Sequence, residues 1–142
     1  MFSEIKNAIK LHEGEIILRS DVDIQFFQSC EETILETMDG VEVAFLADEG
    51  HGNKVNGGFM GVRCNSTTYD VFDFLEKTQG NQRTCQSYLD EKGIPYSLFP
   101  RSFYCTTQGK IRPPLHLHHS DIGRKKKIPD FLRVQRLLKT HL

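Results

Sequence analysis

The sequence contains no tryptophan, only 5 prolines and 3 methionines among its 142 residues, and no Cys-x-x-Cys pair. Without that pair a zinc knuckle is disfavoured. Cys30, Cys64, Cys85 and Cys105 stand tens of residues apart, which predicts free, mostly buried thiols unless a longer precursor enters an oxidising compartment. No apolar run approaches the ~18 residues of a membrane span, and the first ten residues hold no apolar stretch of signal-peptide type. A cytoplasmic setting is therefore the default expectation, with the secretory pathway expected only for a longer precursor. Net charge is also nearly absent, at -1, but its distribution is uneven. Residues 1–100 carry 8 Lys/Arg against 17 Asp/Glu, whereas residues 101–142 carry 10 against 2. An acidic part can hold a cation and a basic part phosphate, and attraction between the two parts of a folded chain yields the same pattern.

What is present is globular: 38% hydrophobic and 26% charged residues exclude disordered, collagenous and coiled-coil classes. The length predicts one domain over residues 1–142. Phe2, Ile5, Ala8 and Ile9 recur at helical spacing and predict an opening helix that ends near Gly14. Glu15–Ser20 is a compact β-branched run that reads as a strand, and it delivers Asp21 and Asp23 at its carboxyl end. Glu31–Met38 reads as a helix and Val41–Ala47 as a strand. Asp48–Val55 reads as a loop, and Gly57–Arg63 as a strand whose small residues admit a close neighbour.

Asn65 or Ser66 caps a helix reaching Gln79, with Val71, Phe74, Leu75 and Thr78 on one face. Asn81–Lys92 is a second helix closed by Gly93. Residues 95–104 read as irregular or short strand and Leu115–His118 as a short strand. Pro129 opens a final helix with Phe131, Leu132, Gln135 and Leu138 on one side. Strands alternating with helices predict an α/β layered domain.

The sharpest local chemistry is Asp21-Val22-Asp23 directly after an apolar strand. Ligands of open α/β sheets sit beyond strand carboxyl ends, and paired carboxylates are hard oxygen ligands for Mn²⁺ or Mg²⁺. Such a pair also suits a solvated turn. His116, His118 and His119 strengthen the metal reading, because a neutral imidazole beside two carboxylates suits Mn²⁺. Arg124-Lys125-Lys126-Lys127 follows, able to neutralise phosphate or simply to lie in solvent.

Four segments in chain order carry a resemblance: Ile17-Leu18-Arg19-Ser20-Asp21-Val22-Asp23, Asn56-Gly57-Gly58-Phe59-Met60-Gly61-Val62-Arg63, Phe99-Pro100-Arg101-Ser102-Phe103-Tyr104, and His118-His119 with Gly123 and Lys127-Ile128. Together they resemble the nucleotide-diphospho-sugar transferase family of GT-A glycosyltransferases. The resemblance implies a Rossmann-like GT-A mixed sheet with flanking helices that lacks the usual amino-terminal nucleotide-binding portion. It implies transfer of a sugar from a nucleotide-diphospho-sugar, a UDP-sugar in the first instance, to a glycan, protein or small-molecule acceptor.

It further implies a divalent cation held by Asp23 and Asp21 with His118 or His119. Arg19, Asp21, Asn56, Gly57, Gly58, Gly123 and Lys127 are implied around the donor. Where the family carries an Asp-Gln pair this chain has Asn81-Gln82, so these two are weak catalytic candidates: Asn hydrogen-bonds a hydroxyl but supplies no charge. A catalytically degenerate nucleotide- or protein-binding module is the alternative expectation. A sheet edge left by a missing strand would favour a homo-oligomer. An aspartyl phosphotransferase fits less well, having Gln25 where that motif prefers Thr or Val. Nucleic-acid binding through residues 124–139 is disfavoured because the basic helix lacks interleaved exposed aromatics.

Overall fold

The computed structural model describes residues 2–48, 54–107, 110–120 and 122–141. In chain order the elements are α1 (Phe2–Leu11), β1 (Ile16–Ser20), β2 (Ile24–Phe26), α2 (Glu31–Thr37), β3 (Val43–Ala47), β4 (Val55–Arg63), α3 (Ser66–Lys77), α4 (Gln82–Lys92), β5 (Tyr96–Leu98), β6 (Tyr104–Thr106), β7 (Leu117–His119), a 3₁₀ turn (Arg124–Lys126) and α5 (Lys127–His141). The chain is a mixed α/β protein with two mixed sheets. Most of the loop expected over 48–55 lies outside the described residues; Val55 already belongs to β4. The elements group into two compact units, one of Met1–Ser20 and Glu31–Phe99 and the other of Asp21–Cys30 and Pro100–Leu142.

The first unit holds a four-stranded sheet of order β1-β4-β3-β5. The β1/β4 and β3/β4 pairs are antiparallel and β3/β5 is parallel. β3 is buried at all five positions, which is why its sequence, Val-Ala-Phe-Leu-Ala, is apolar without alternation. Ile5 and Ile9 of α1 join Val43, Phe45, Val62, Val71, Phe72, Leu75, Cys85 and Leu89 in the core.

On α3 the fully buried aromatic is Phe72 rather than the expected Phe74, which is only partly buried, while Thr78 forms the exposed carboxyl cap. Asn65 caps α3 in a reciprocal box: its side chain accepts from the Thr68 amide at 3.0 Å, and its own amide donates to Thr68 Oγ1 at 3.2 Å. Gly61 marks a close approach, since a Cβ there would lie 2.8 Å from Met38 Sδ. The neighbour that this small residue admits is the side chain of Met38.

The second unit holds a three-stranded sheet of order β2-β7-β6, with β2/β7 antiparallel and β6/β7 parallel. The sequence reading did not assign β2. Cys105, Leu115 and Val134 form a buried cluster, joined by Phe27, Ile111 and Leu138. The inward stripe of α5 corrects the expected one: Val134 is fully buried, whereas Leu132 is 45% exposed. Asp130, Val134 and Leu138 follow the i, i+4, i+8 spacing of a single helix face.

Candidate metal centre

β7 is the middle strand of the second unit's sheet, so its consecutive histidines point to opposite faces. His118 and His119 therefore cannot both reach one ion, and the structure separates them. His119 Nε2 lies 3.3 Å from Asp23 Oδ1 and 3.8 Å from Asp21 Oδ2. One ligand atom from each of Asp21, Asp23 and His119 can be chosen so that all three fall within 4.8 Å of one another.

Strand pairing causes this convergence. Ile24 stands opposite His119, and the Ser120 amide donates to the Asp23 carbonyl at 2.9 Å, so Asp23 is fixed beside the imidazole by one extra rung of the ladder. Lys127 closes the group: its ammonium donates to Asp23 Oδ2 at 2.8 Å and to the Ser120 carbonyl at 2.5 Å. Burial opposes ionisation of Asp23, but the Lys127 hydrogen bond and the nearby His119 charge outweigh it and lower its pKa.

Two buried atoms at this centre lack a hydrogen-bond partner among the described residues, Asp23 Oδ1 and His119 Nδ1. A buried acceptor left unsatisfied costs about 1–3 kcal/mol, and more when it is charged. Asp23 Oδ1 faces His119 Nε2, and a divalent cation bound between them would supply what the oxygen lacks. A set of two carboxylates and one imidazole can hold a divalent cation. The partnerless Nδ1 departs from the usual support of a ligating histidine, whose second nitrogen donates to a neighbour.

His118 belongs to a different network. Its Nε2 lies 2.7 Å from Asp130 Oδ2, a carboxylate oxygen that accepts. Its Nδ1 lies 3.0 Å from the Cys105 carbonyl and 3.2 Å from Cys105 Sγ. Asp130 Oδ2 also accepts from Ser120 Oγ at 3.0 Å and Thr107 Oγ1 at 2.9 Å, while Oδ1 accepts from Arg133 at 2.9 Å. Burial raises the pKa of Asp130, yet these donors, His118 foremost, prevail and bring it to about 2.

The sequence reading missed Asp130, Ser120 and Thr107. The helical spacing of Asp130 with Val134 and Leu138 is the one signal that would have placed that carboxylate inward. His116 stands apart from both groups, its Nδ1 2.7 Å from the Ser29 carbonyl. Gly123 caps the 3₁₀ turn and is exposed.

The remaining candidates lie in the first unit, where β4 carries a register shift: Phe45 pairs with Met60, but Leu46 pairs with Asn56. The intervening Gly57 and Gly58 leave the β3 ladder, and their backbone groups find other partners. Arg19 donates to the Gly57 carbonyl, Gln82 Oε1 accepts from the Gly57 amide at 3.2 Å, and Asn56 Oδ1 accepts from the Gly58 amide at 2.8 Å. Arg19, Asn56, Gly57, Gly58 and Gln82 are thus gathered around one bulge. Asn81 instead caps α4, accepting from the Arg83 and Thr84 amides at 2.9 and 3.1 Å.

The four cysteines are free, three of them buried. Burial pushes the Cys85 thiol up to about 12. No helix among the described residues is long and apolar enough to cross a membrane. Neither protein-family models nor curated proteins match this chain.

Proposed function

We propose that the chain is a metal-dependent glycosyltransferase of GT-A type that uses a nucleotide-diphospho-sugar, and that its cation sits on Asp21, Asp23 and His119. The observation that carries the reading is the buried Asp23 Oδ1, which has no hydrogen bond among the described residues and faces His119 Nε2 at 3.3 Å in a cluster of ligand atoms. Asp21, Asp23 and His119 would hold such a cation, which would supply positive charge against the charge that a departing nucleoside diphosphate gains. Lys127 adds a second positive group, anchored by Asp23 and Ser120. Its ammonium favours an anionic leaving group more as that group's charge grows, which is the condition for lowering a barrier. Assignment of Arg19, Asn56, Gly57, Gly58 and Gly123 to the donor rests on the sequence resemblance.

A degenerate binding module is the second reading, and the engagement of Asn81 by two helix amides favours it. Calorimetry with UDP-sugars tests the proposal. Binding that requires Mn²⁺ and is lost in Asp23→Ala supports it; binding that ignores the metal, or no binding to any nucleotide-sugar, refutes it. Hydrolysis of the bound donor then separates a working enzyme from a binding module.

A further inference from the structure

The outward face of α5 departs from an ordinary solvated helix face. Ile128 is 71% exposed, Leu132 45% and Leu137 37%. Ile128, Leu132 and Arg136 follow one another at i, i+4, i+8, so they share a stripe. Pro129, Leu132, Arg133, Arg136 and Leu137 line a shallow groove on this side. Around the aliphatic side chains stand the exposed cations Arg124, Lys125, Lys126, Arg136 and Lys139. Between residues 122 and 141 the single carboxylate is Asp130, and it is turned inward, 6% exposed, where it also engages Arg133. The outward surface therefore combines protruding aliphatics with positive charge, and residues 122–141 bring no exposed carboxylate to it.

We propose that this face, together with the basic turn before it, docks on an anionic lipid bilayer. A helix lying in the interface sinks its apolar side chains about 5–10 Å into the boundary while cations on its flanks meet the headgroups. Ile128 and Leu132 supply the first part, and Lys125, Lys126 and Lys139, with Arg136 at the end of their stripe, the second. Charge complementarity selects an anionic leaflet. A nucleic-acid face fits less well, because the aromatic of this helix, Phe131, is turned edge-on to the His118 ring at 5.6 Å and is not offered for stacking.

Sedimentation of the full chain with phosphatidylcholine vesicles, with and without phosphatidylserine, tests the proposal. The chain is expected to sediment only with the serine-containing vesicles and to detach as salt is raised. Lys125→Gln and Arg136→Gln should each weaken partitioning about fivefold, and Leu132→Ser about tenfold. All three side chains are exposed, so far-ultraviolet circular dichroism should match the parent. Equal partitioning on both vesicles, or none, would overturn the proposal. So would an unchanged affinity in Leu132→Ser, or tighter binding to duplex RNA or DNA than to the serine-containing vesicles.

Discussion

Asp130 is a carboxylate with four kinds of donor around it, and its depressed pKa is a statement about stability. The folded state holds the group near 2 against an ordinary 3.8, so its contribution is complete above pH 4 and is lost as the pH falls through about 2. The difference corresponds to about 2 kcal/mol. In urea unfolding, Asp130→Asn should therefore be less stable than the parent by about that amount at pH 6, with the gap closing toward pH 2. A gap that stays constant across this window would show that the donors do not favour the charged form. The neighbouring histidines allow a second separation. His119→Gln should weaken Mn²⁺ binding by at least about 100-fold, at or beyond the upper end of the ~10–100-fold typical of outer partners. His118→Gln should lower the unfolding midpoint instead, since it strips a donor from buried Asp130. Equal metal affinities in the two variants, measured by calorimetry, would refute the division of roles between them.

Helix α4 shows how a residue singled out for chemistry can be held by local architecture. Asn81 accepts from two of the first amides of the helix, and Gly93 closes the other end with φ 65°, a left-handed conformation that a side chain resists. Replacing Asn81 by Ala should cost about 1 kcal/mol, whereas Asn81→Asp should be nearly neutral because Asp caps equally well. Thermal unfolding checks both, and a neutral Asn81→Ala would remove the capping account. The same Asn81→Asp variant probes chemistry without confounding stability: turnover gained there would mark position 81 as catalytic. The bulge in β4 makes a related point. Arg19, Asn56 and Gln82 resemble donor-site residues in sequence, yet each hydrogen-bonds backbone released by the register shift. Asn56→Ala should consequently lower stability as well as any donor affinity.

Most elements were legible in the sequence because each had a local cause. Apolar periodicity marked α1 and α3, compact apolar runs marked β1 and β3, and the residues Asn65, Asn81 and Gly93 fixed helix ends within a residue or two. Short β2 was not legible, because Ile24-Gln25-Phe26 becomes a strand only through its pairing with Leu117–His119, almost a hundred residues away. The same non-local pairing decides that His119, rather than His118, meets the aspartates. The inward side of α5 was misread for another reason: Asp130 is polar, and only its four donors make its burial tolerable. This organisation leads to a test of the cation site. Asp21, Asp23, His119 and Lys127 all belong to the second unit, whereas β3 and β4 belong to the first. A ligand that binds only the closed state stabilises it by about 2.7 kcal/mol at 100 times its dissociation constant, and this applies to whatever opening exposes the site. Hydrogen exchange with Mg²⁺ at that level should slow about 100-fold in peptides covering 21–26 and 117–120. Exchange at 43–47 and 55–63 should change far less, because the core around β3 and β4 is built from first-unit side chains. Unchanged exchange at 21–26 and 117–120, or slowing confined to 43–47 and 55–63, would place the cation elsewhere and refute the centre assigned to Asp21, Asp23 and His119.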